Sequence, residues 1–203
     1  MFDMAVAYIY LTGSSGAGVT FIRWGRTSCP ATDGTELVYA GRVGGTHFSV
    51  GGGAADRLCL PENPDYLNGT SNISANPSLQ LSPRVFGTEY EFHAGPPANT
   101  GLANHNAPCA VCYVSTRAAT IMIPAKTECP SSWIREYYGY LTANYEDHSK
   151  ALYNCLDVNP ESIIGYANNE NGALFHYAVS TCHGFECPPY EDDRALSCAV
   201  CTK

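Results

Sequence analysis

Apolar and β-branched residues fall in short runs along this chain, each four to eight residues long or less and bounded by Gly, Pro, Asn or Ser. Residues 19–24, 36–39, 89–92, 113–115, 120–123, 133–138 and 174–179 have this pattern and predict β-strands. Only residues 147–154 and 192–196 have a pattern that supports a helical turn or two. The predicted class is therefore all-β. Two glycine groups, 44–45 and 51–53, supply positions free to take positive φ and predict turns and bulges. No predicted helix follows them, so they do not read as a phosphate cradle.

The same landmarks occur twice, in the same order. Cys109-Ala110-Val111-Cys112 returns as Cys198-Ala199-Val200-Cys201. Arg26-Thr27-Ser28-Cys29-Pro30 is echoed by Lys126-Thr127-Glu128-Cys129-Pro130, and Tyr39-Ala40-Gly41 by Tyr137-Tyr138-Gly139. The segment from Cys59 through Leu60, Asn63, Pro64 and Asp65 is echoed from Cys155 through Leu156, Asn159, Pro160 and Glu161. This order predicts two diverged copies of one unit with different loop lengths, and a spacing this long means subdomains rather than a solenoid. The expected organisation is an N-terminal segment 1–18, a first subdomain 19–114 and a second 115–203.

With 203 residues, 45% hydrophobic and 15% charged, the chain is long enough and apolar enough to bury a core. Its ten cysteines include two Cys-X-X-Cys motifs, a spacing that suits zinc. Each motif, however, lacks the Gly or Pro of a zinc knuckle and has further cysteines upstream in its own repeat. Disulfides are the expected state, outside the reducing cytosol. Even parity then leaves no thiol for a nucleophile. A net charge of −8 argues against nucleic acid, and no apolar run is long enough to span a bilayer. Residues 1–11 make a poor signal peptide because Asp3 interrupts them and no basic segment precedes them. An export signal is expected outside this sequence.

Asn68-Gly69-Thr70 and Asn72-Ile73-Ser74 are glycosylation sequons in a polar stretch; proline excludes Asn76. Ser14 and Ser15 do not form a nucleophile elbow. The six histidines, at 47, 93, 105, 148, 176 and 183, share no metal-ligand spacing. Glu191-Asp192-Asp193 reads as a solvated turn before it reads as a calcium site. Fourteen tyrosines suit a sheet core, a subunit interface or a glycan-binding surface.

These landmarks, from about residue 19 to Lys203, resemble the C-terminal non-collagenous domain of type IV collagen and the related domain of short-chain, spongin-type collagens. That domain is a tandem duplication whose halves open on a Ser-Cys-Pro-like segment and close on Cys-X-Val-Cys. The resemblance implies the pairs Cys29–Cys112 and Cys59–Cys109 in the first half. In the second it implies Cys129–Cys201, Cys155–Cys198 and Cys182–Cys187. From the residues alone, four cysteines leave three pairings and six leave fifteen. The chain departs from the family in lacking the middle pair of its first half. The resemblance further implies a secreted structural module that trimerises chains and organises a collagen-like extracellular matrix. No catalytic activity is expected, nor any cofactor beyond structural chloride or calcium. The partners would be itself, as homotrimer or hexamer, and other matrix chains. No Gly-X-Y tract occurs, so a collagenous or coiled-coil segment lies outside this sequence or is absent. A secreted glycan-binding or adhesive module, lectin-like, is the alternative.

Overall fold

The computed structural model describes residues 18–66, 82–92 and 101–203. Asn68, Asn72, His93, Ser14 and Ser15 lie outside them. Within the described residues the chain is all-β, with ten strands and no helix. β1 (Val19–Trp24), β2 (Thr35–Gly45), β3 (Leu58–Pro61), β4 (Phe86–Tyr90) and β5 (Pro108–Val114) come first. β6 (Thr120–Pro124), β7 (Ile134–Ala143), β8 (Asn154–Asp157), β9 (Ala173–Tyr177) and β10 (Ser197–Thr202) follow.

Seven strands close into a barrel in the order β1-β5-β2-β4-β9-β7-β8 and back to β1. Closure removes open edges along this circuit. Three strands lie off it: β3 pairs with β2, β10 with β7, and β6 with β10.

The registers of β1–β5 and β6–β10 agree closely. Trp24 pairs with Cys109 as Pro124 does with Cys198, and Phe21 with Cys112 as Ile121 does with Cys201. Gly41 pairs with Cys109 and Gly139 with Cys198; Val43 pairs with Cys59 and Leu141 with Cys155. A bulge at Val38 between Leu37 and Tyr39 has its match at Glu136 between Arg135 and Tyr137. The Tyr39 hydroxyl donates to Cys59 O at 2.9 Å, and the Tyr137 hydroxyl to Cys155 O at 2.9 Å.

Each bulge neighbours a close approach. A Cβ on Gly41 would lie 1.8 Å from the Leu60 carbonyl oxygen, and one on Gly139 would lie 1.8 Å from that of Leu156. Neither glycine has a positive φ; space, not backbone freedom, excludes a side chain there. Gly44 and Gly45, expected in turns, instead end β2 as strand residues. A Cβ on Gly44 would meet Val85 at 2.7 Å, so the missing side chain again serves packing. The helical turns expected at 147–154 and 192–196 do not form. The Ser149 and Leu152 amides donate to Phe48 O and Ala55 O instead of to a local carbonyl, and residue 154 starts β8. Asp193 takes φ 55° and donates to Ser180 O, while Ala195 bridges to Val179.

Two buried apolar clusters fill the fold. One gathers Phe21, Cys112 and Val114 with Tyr137, Leu141 and Val200; the other gathers Trp24, Val43 and Tyr90 with Leu156 and Phe175. Both draw on residues either side of position 115, so the two β-rich segments share their core.

Replacing Gly139 by Ala should destabilise the protein by about 3 kcal/mol or more, because neither the strand nor the facing carbonyl can move without breaking the ladder. Gly51→Ala, with nothing within 4 Å of its new Cβ, is the matched control. Thermal unfolding should show a Tm loss for the first of about 6 °C or more and almost none for the second.

Candidate assembly surface

The ten cysteines form five disulfides: Cys29–Cys112, Cys59–Cys109, Cys129–Cys201, Cys155–Cys198 and Cys182–Cys187. No cysteine is free. The first four arise from a simple property of strands. Positions i and i+3 point to opposite faces, so Cys109 and Cys112 on β5 reach different partners, as do Cys198 and Cys201 on β10. The Cys29–Cys112 bridge closes a separation of 83 residues. In the chain-entropy model that contributes about 4 kcal/mol, against about 2 kcal/mol for the short Cys182–Cys187 loop.

The contact between the first five strands and the last five shows what kind of surface this fold buries. Trp24 on β1 pairs with Leu156 on β8 in parallel, and β4 pairs with β9 in parallel through Tyr90 and Phe175. Leu156 is fully buried there, under Trp24 and close against Gly25. An Arg23 Nε–Asp157 Oδ2 ion pair of 2.7 Å crosses the seam. Beyond it, Arg26 lies 3.0 Å from Glu161 Oε1, and the Thr27 amide and hydroxyl both donate to Oε2. Glu161 N donates to Gly25 O at 2.7 Å, and the Tyr90 hydroxyl donates to Glu161 O at 2.8 Å. Burial pushes the Tyr90 phenol well above its ordinary pKa, which keeps it a donor at every accessible pH.

Arg57 spans the same boundary. Its guanidinium donates to the side-chain oxygens of Asn144 and Asn154 and to the Leu174 carbonyl, and stacks 4.4 Å from the Phe175 ring. Every one of these partners is uncharged, and burial lowers its pKa to about 10. Glu136, at the β7 bulge, accepts from the Thr32 and Thr202 hydroxyls and lies 3.7 Å from Arg117. Sequence reasoning singled out neither residue. Neither belongs to a motif that sets it apart, and their partners lie far away in sequence.

The outer strands present the opposite picture. Among the described residues, β3 pairs only with β2, and β6 only with β10. Leu58 and Leu60 on β3 are 46% and 38% exposed, and Ile121 on β6 is 45% exposed. Between β1 and β6 a groove of about 280 Å³ is lined by Phe21, Ile22, Met122, Tyr137 and Val200. Open strand edges with exposed aliphatic residues are surfaces that natural folds cover.

Other candidate chemistry is dispersed. His47 and His148 pack on Phe48, and His176 packs on His148 with ring centres 5.3 Å apart. Their positions in sequence gave no sign of it. His105 and His183 lie elsewhere, and no group of three or more metal-ligating residues occurs among the described residues. Within the acidic run, Glu191 pairs with Arg194, and Asp192 Oδ1 accepts from Cys182 N and so ties the run to the disulfide loop. A cleft of about 440 Å³ beside that loop is lined by Lys126, Tyr190 and Arg194 among others. No helix of the described residues is long and apolar enough to cross a membrane. That and the five disulfides are consistent with a secreted protein.

Burial alone raises the Glu161 carboxyl, but the Thr27 hydrogen bonds and the charges of Arg26 and Arg23 outweigh it, leaving its pKa below the ordinary value. A carboxylate with a depressed folded pKa adds stability above its unfolded pKa of about 4.3, and that stability is lost as pH falls through the folded value. Glu161→Gln should therefore lower the unfolding free energy at pH 7, read from urea titration, by roughly 1 kcal/mol for so exposed a pair. The gap between variant and wild type should close below about pH 4; an equal gap at pH 3 and pH 7 would contradict the ionic role.

No protein-family model matches the chain.

Proposed function

We propose that this chain is an extracellular structural module built from two diverged copies of one unit, which assembles as a homotrimer and organises a collagen-like matrix or fibre. The observation that carries the proposal is the agreement of register between β1–β5 and β6–β10, down to the bulge and the two tyrosine hydroxyl bonds. It supports a duplication whose copies bury one kind of seam against each other. The open edges of β3 and β6, with exposed Leu58, Leu60 and Ile121, supply the apolar surface that chain-to-chain contact requires. Obligate interfaces commonly bury more than about 2,000 Å². Other matrix chains of like architecture are the proposed further partners, and the role requires no catalysis. The sequons at Asn68 and Asn72 would carry glycans outside the contact.

A second reading rests on one feature. Phe185 on the Cys182–Cys187 loop packs at a tilt against Tyr190, with ring centres 4.8 Å apart, and Tyr190 lines the 440 Å³ cleft. Paired aromatic faces of this kind suit a sugar ring, so a glycan-binding module is the competing function.

Multi-angle light scattering under non-reducing conditions separates the two. The proposal expects three times the chain mass of 21.8 kDa at micromolar concentration. A monomer that is retained on a glycan column through Phe185 would overturn it in favour of recognition.

A further inference from the structure

The five disulfides differ in how a thiol can reach them. Exchange begins when an outside thiolate attacks one sulfur and expels the other, so access and the leaving sulfur decide which bridge reacts. Each of the four long bridges ends on a fully buried cysteine: Cys112, Cys109, Cys201 or Cys198. Attack on Cys29 or Cys129, both half-buried, would expel a thiolate into the dry core, where burial makes it a poor leaving group. Cys187 is exposed and Cys182 half-buried, on a loop that belongs to no strand. Their separation is 5 residues against 43 to 83 for the others, so this bridge constrains the unfolded chain least.

The loop has a pinned neck and a loose tip. At the neck, Ser180 N donates to Arg194 O and Asp193 N to Ser180 O, both at 2.9 Å. The hydroxyl of buried Ser180 donates to Glu191 O at 2.6 Å, and Leu196 N donates to Ala178 O. None of these bonds involves a cysteine. Beyond the neck, residues 181–192 make no backbone–backbone hydrogen bond. Asp192 Oδ1 accepts from Cys182 N at 2.8 Å, Phe185 packs on Tyr190, and the disulfide closes the rest. Tyr190, with Pro189 and Glu191, forms one wall of the 440 Å³ cleft. The first five strands supply an internal comparison. They reach the register of the last five with two bridges and no short one, so the ladders stand without it.

We infer that Cys182–Cys187 is a thiol–disulfide exchange site, a latch that an external dithiol opens without unfolding the ladders. A thiolate of the dithiol attacks the exposed Cys187 Sγ. The Cys182–Cys187 bond breaks as the mixed disulfide forms, and Cys182 leaves as a thiolate that takes a proton from water. The second thiolate of the dithiol then attacks its own half of the mixed disulfide and releases Cys187 as a thiolate. The dithiol ends as a disulfide and its two electrons have reduced the bridge; an oxidised partner closes the latch by the reverse sequence. Opening releases Phe185 from Tyr190 and reshapes that wall of the cleft. Neither the assembly reading nor the glycan reading above is needed for this site.

Dithiothreitol, a small dithiol, tests the latch on the intact chain at pH 8 without denaturant. Freed thiols are trapped with N-ethylmaleimide and located by peptide mapping. Cys182 and Cys187 should be trapped at least about tenfold faster than any other cysteine. Chymotrypsin cleavage after Phe185 should then rise at least about tenfold, with β5 and β10 left intact. The double variant Cys182→Ser/Cys187→Ser should fold, as read by near-ultraviolet circular dichroism, and show the fast cleavage with no dithiol present. Trapping of Cys29, Cys59 or Cys129 at an equal rate would overturn the site, as would a Cys182–Cys187 bridge that reacts only in denaturant. Selective reduction that leaves cleavage after Phe185 unchanged would show that other contacts close the tip and overturn the latch. Cleavage that spreads into 197–202, or a double variant that does not fold, would show that the bridge supports the ladder and would overturn it too.

Discussion

Two cysteines three residues apart on one strand set the frame of this fold. On β5 and again on β10, alternation along the strand sends one sulfur to each face, and each bridge ties the strand to a different part of its half. Both strands are central: β5 lies between β1 and β2, and β10 between β6 and β7. The bridges thus fix the middle of a ladder rather than its rim. For a chain whose described residues form no helix and pair mostly at long range, loop closure is the chief entropic obstacle. Two bridges spanning 83 and 72 residues remove much of it from the unfolded chain.

With the ladders fixed, the seam between the first and second five strands becomes possible. It combines a dry centre, Trp24 over Leu156 and Tyr90 beside Phe175, with a charged rim at Arg26 and Glu161. Arg57 binds the same boundary through neutral acceptors, an arrangement that tolerates burial because nearly all its donors are engaged.

Much of the architecture was legible in the sequence. The run Val19 to Trp24 coincides with β1 residue for residue, and six other predicted runs fall within or overlap β2, β4, β5, β6, β7 and β9. β3, β8 and β10 escaped because two of them are four residues long and all three are dominated by their cysteines, whose apolar neighbours are too few to show a period. Gly44 and Gly45 misled because glycine in a strand for close packing has the same composition as glycine in a turn. The gathering of His47, His148 and His176 could not be read at all, since two loops and strand β9, far apart in sequence, bring them together.

In the proposed assembly the edges of β3 and β6, with Leu58, Leu60 and Ile121 exposed in the single chain, are covered by a neighbouring copy. Hydrogen–deuterium exchange across a dilution series reads those edges directly. The account predicts that amides in 58–65 and 120–128 are protected at high concentration and lose protection together on dilution, while the inner seam at 23–27 and 154–161 does not change. Protection that is independent of concentration at 58–65 and 120–128, or that appears instead around 182–190, would contradict it.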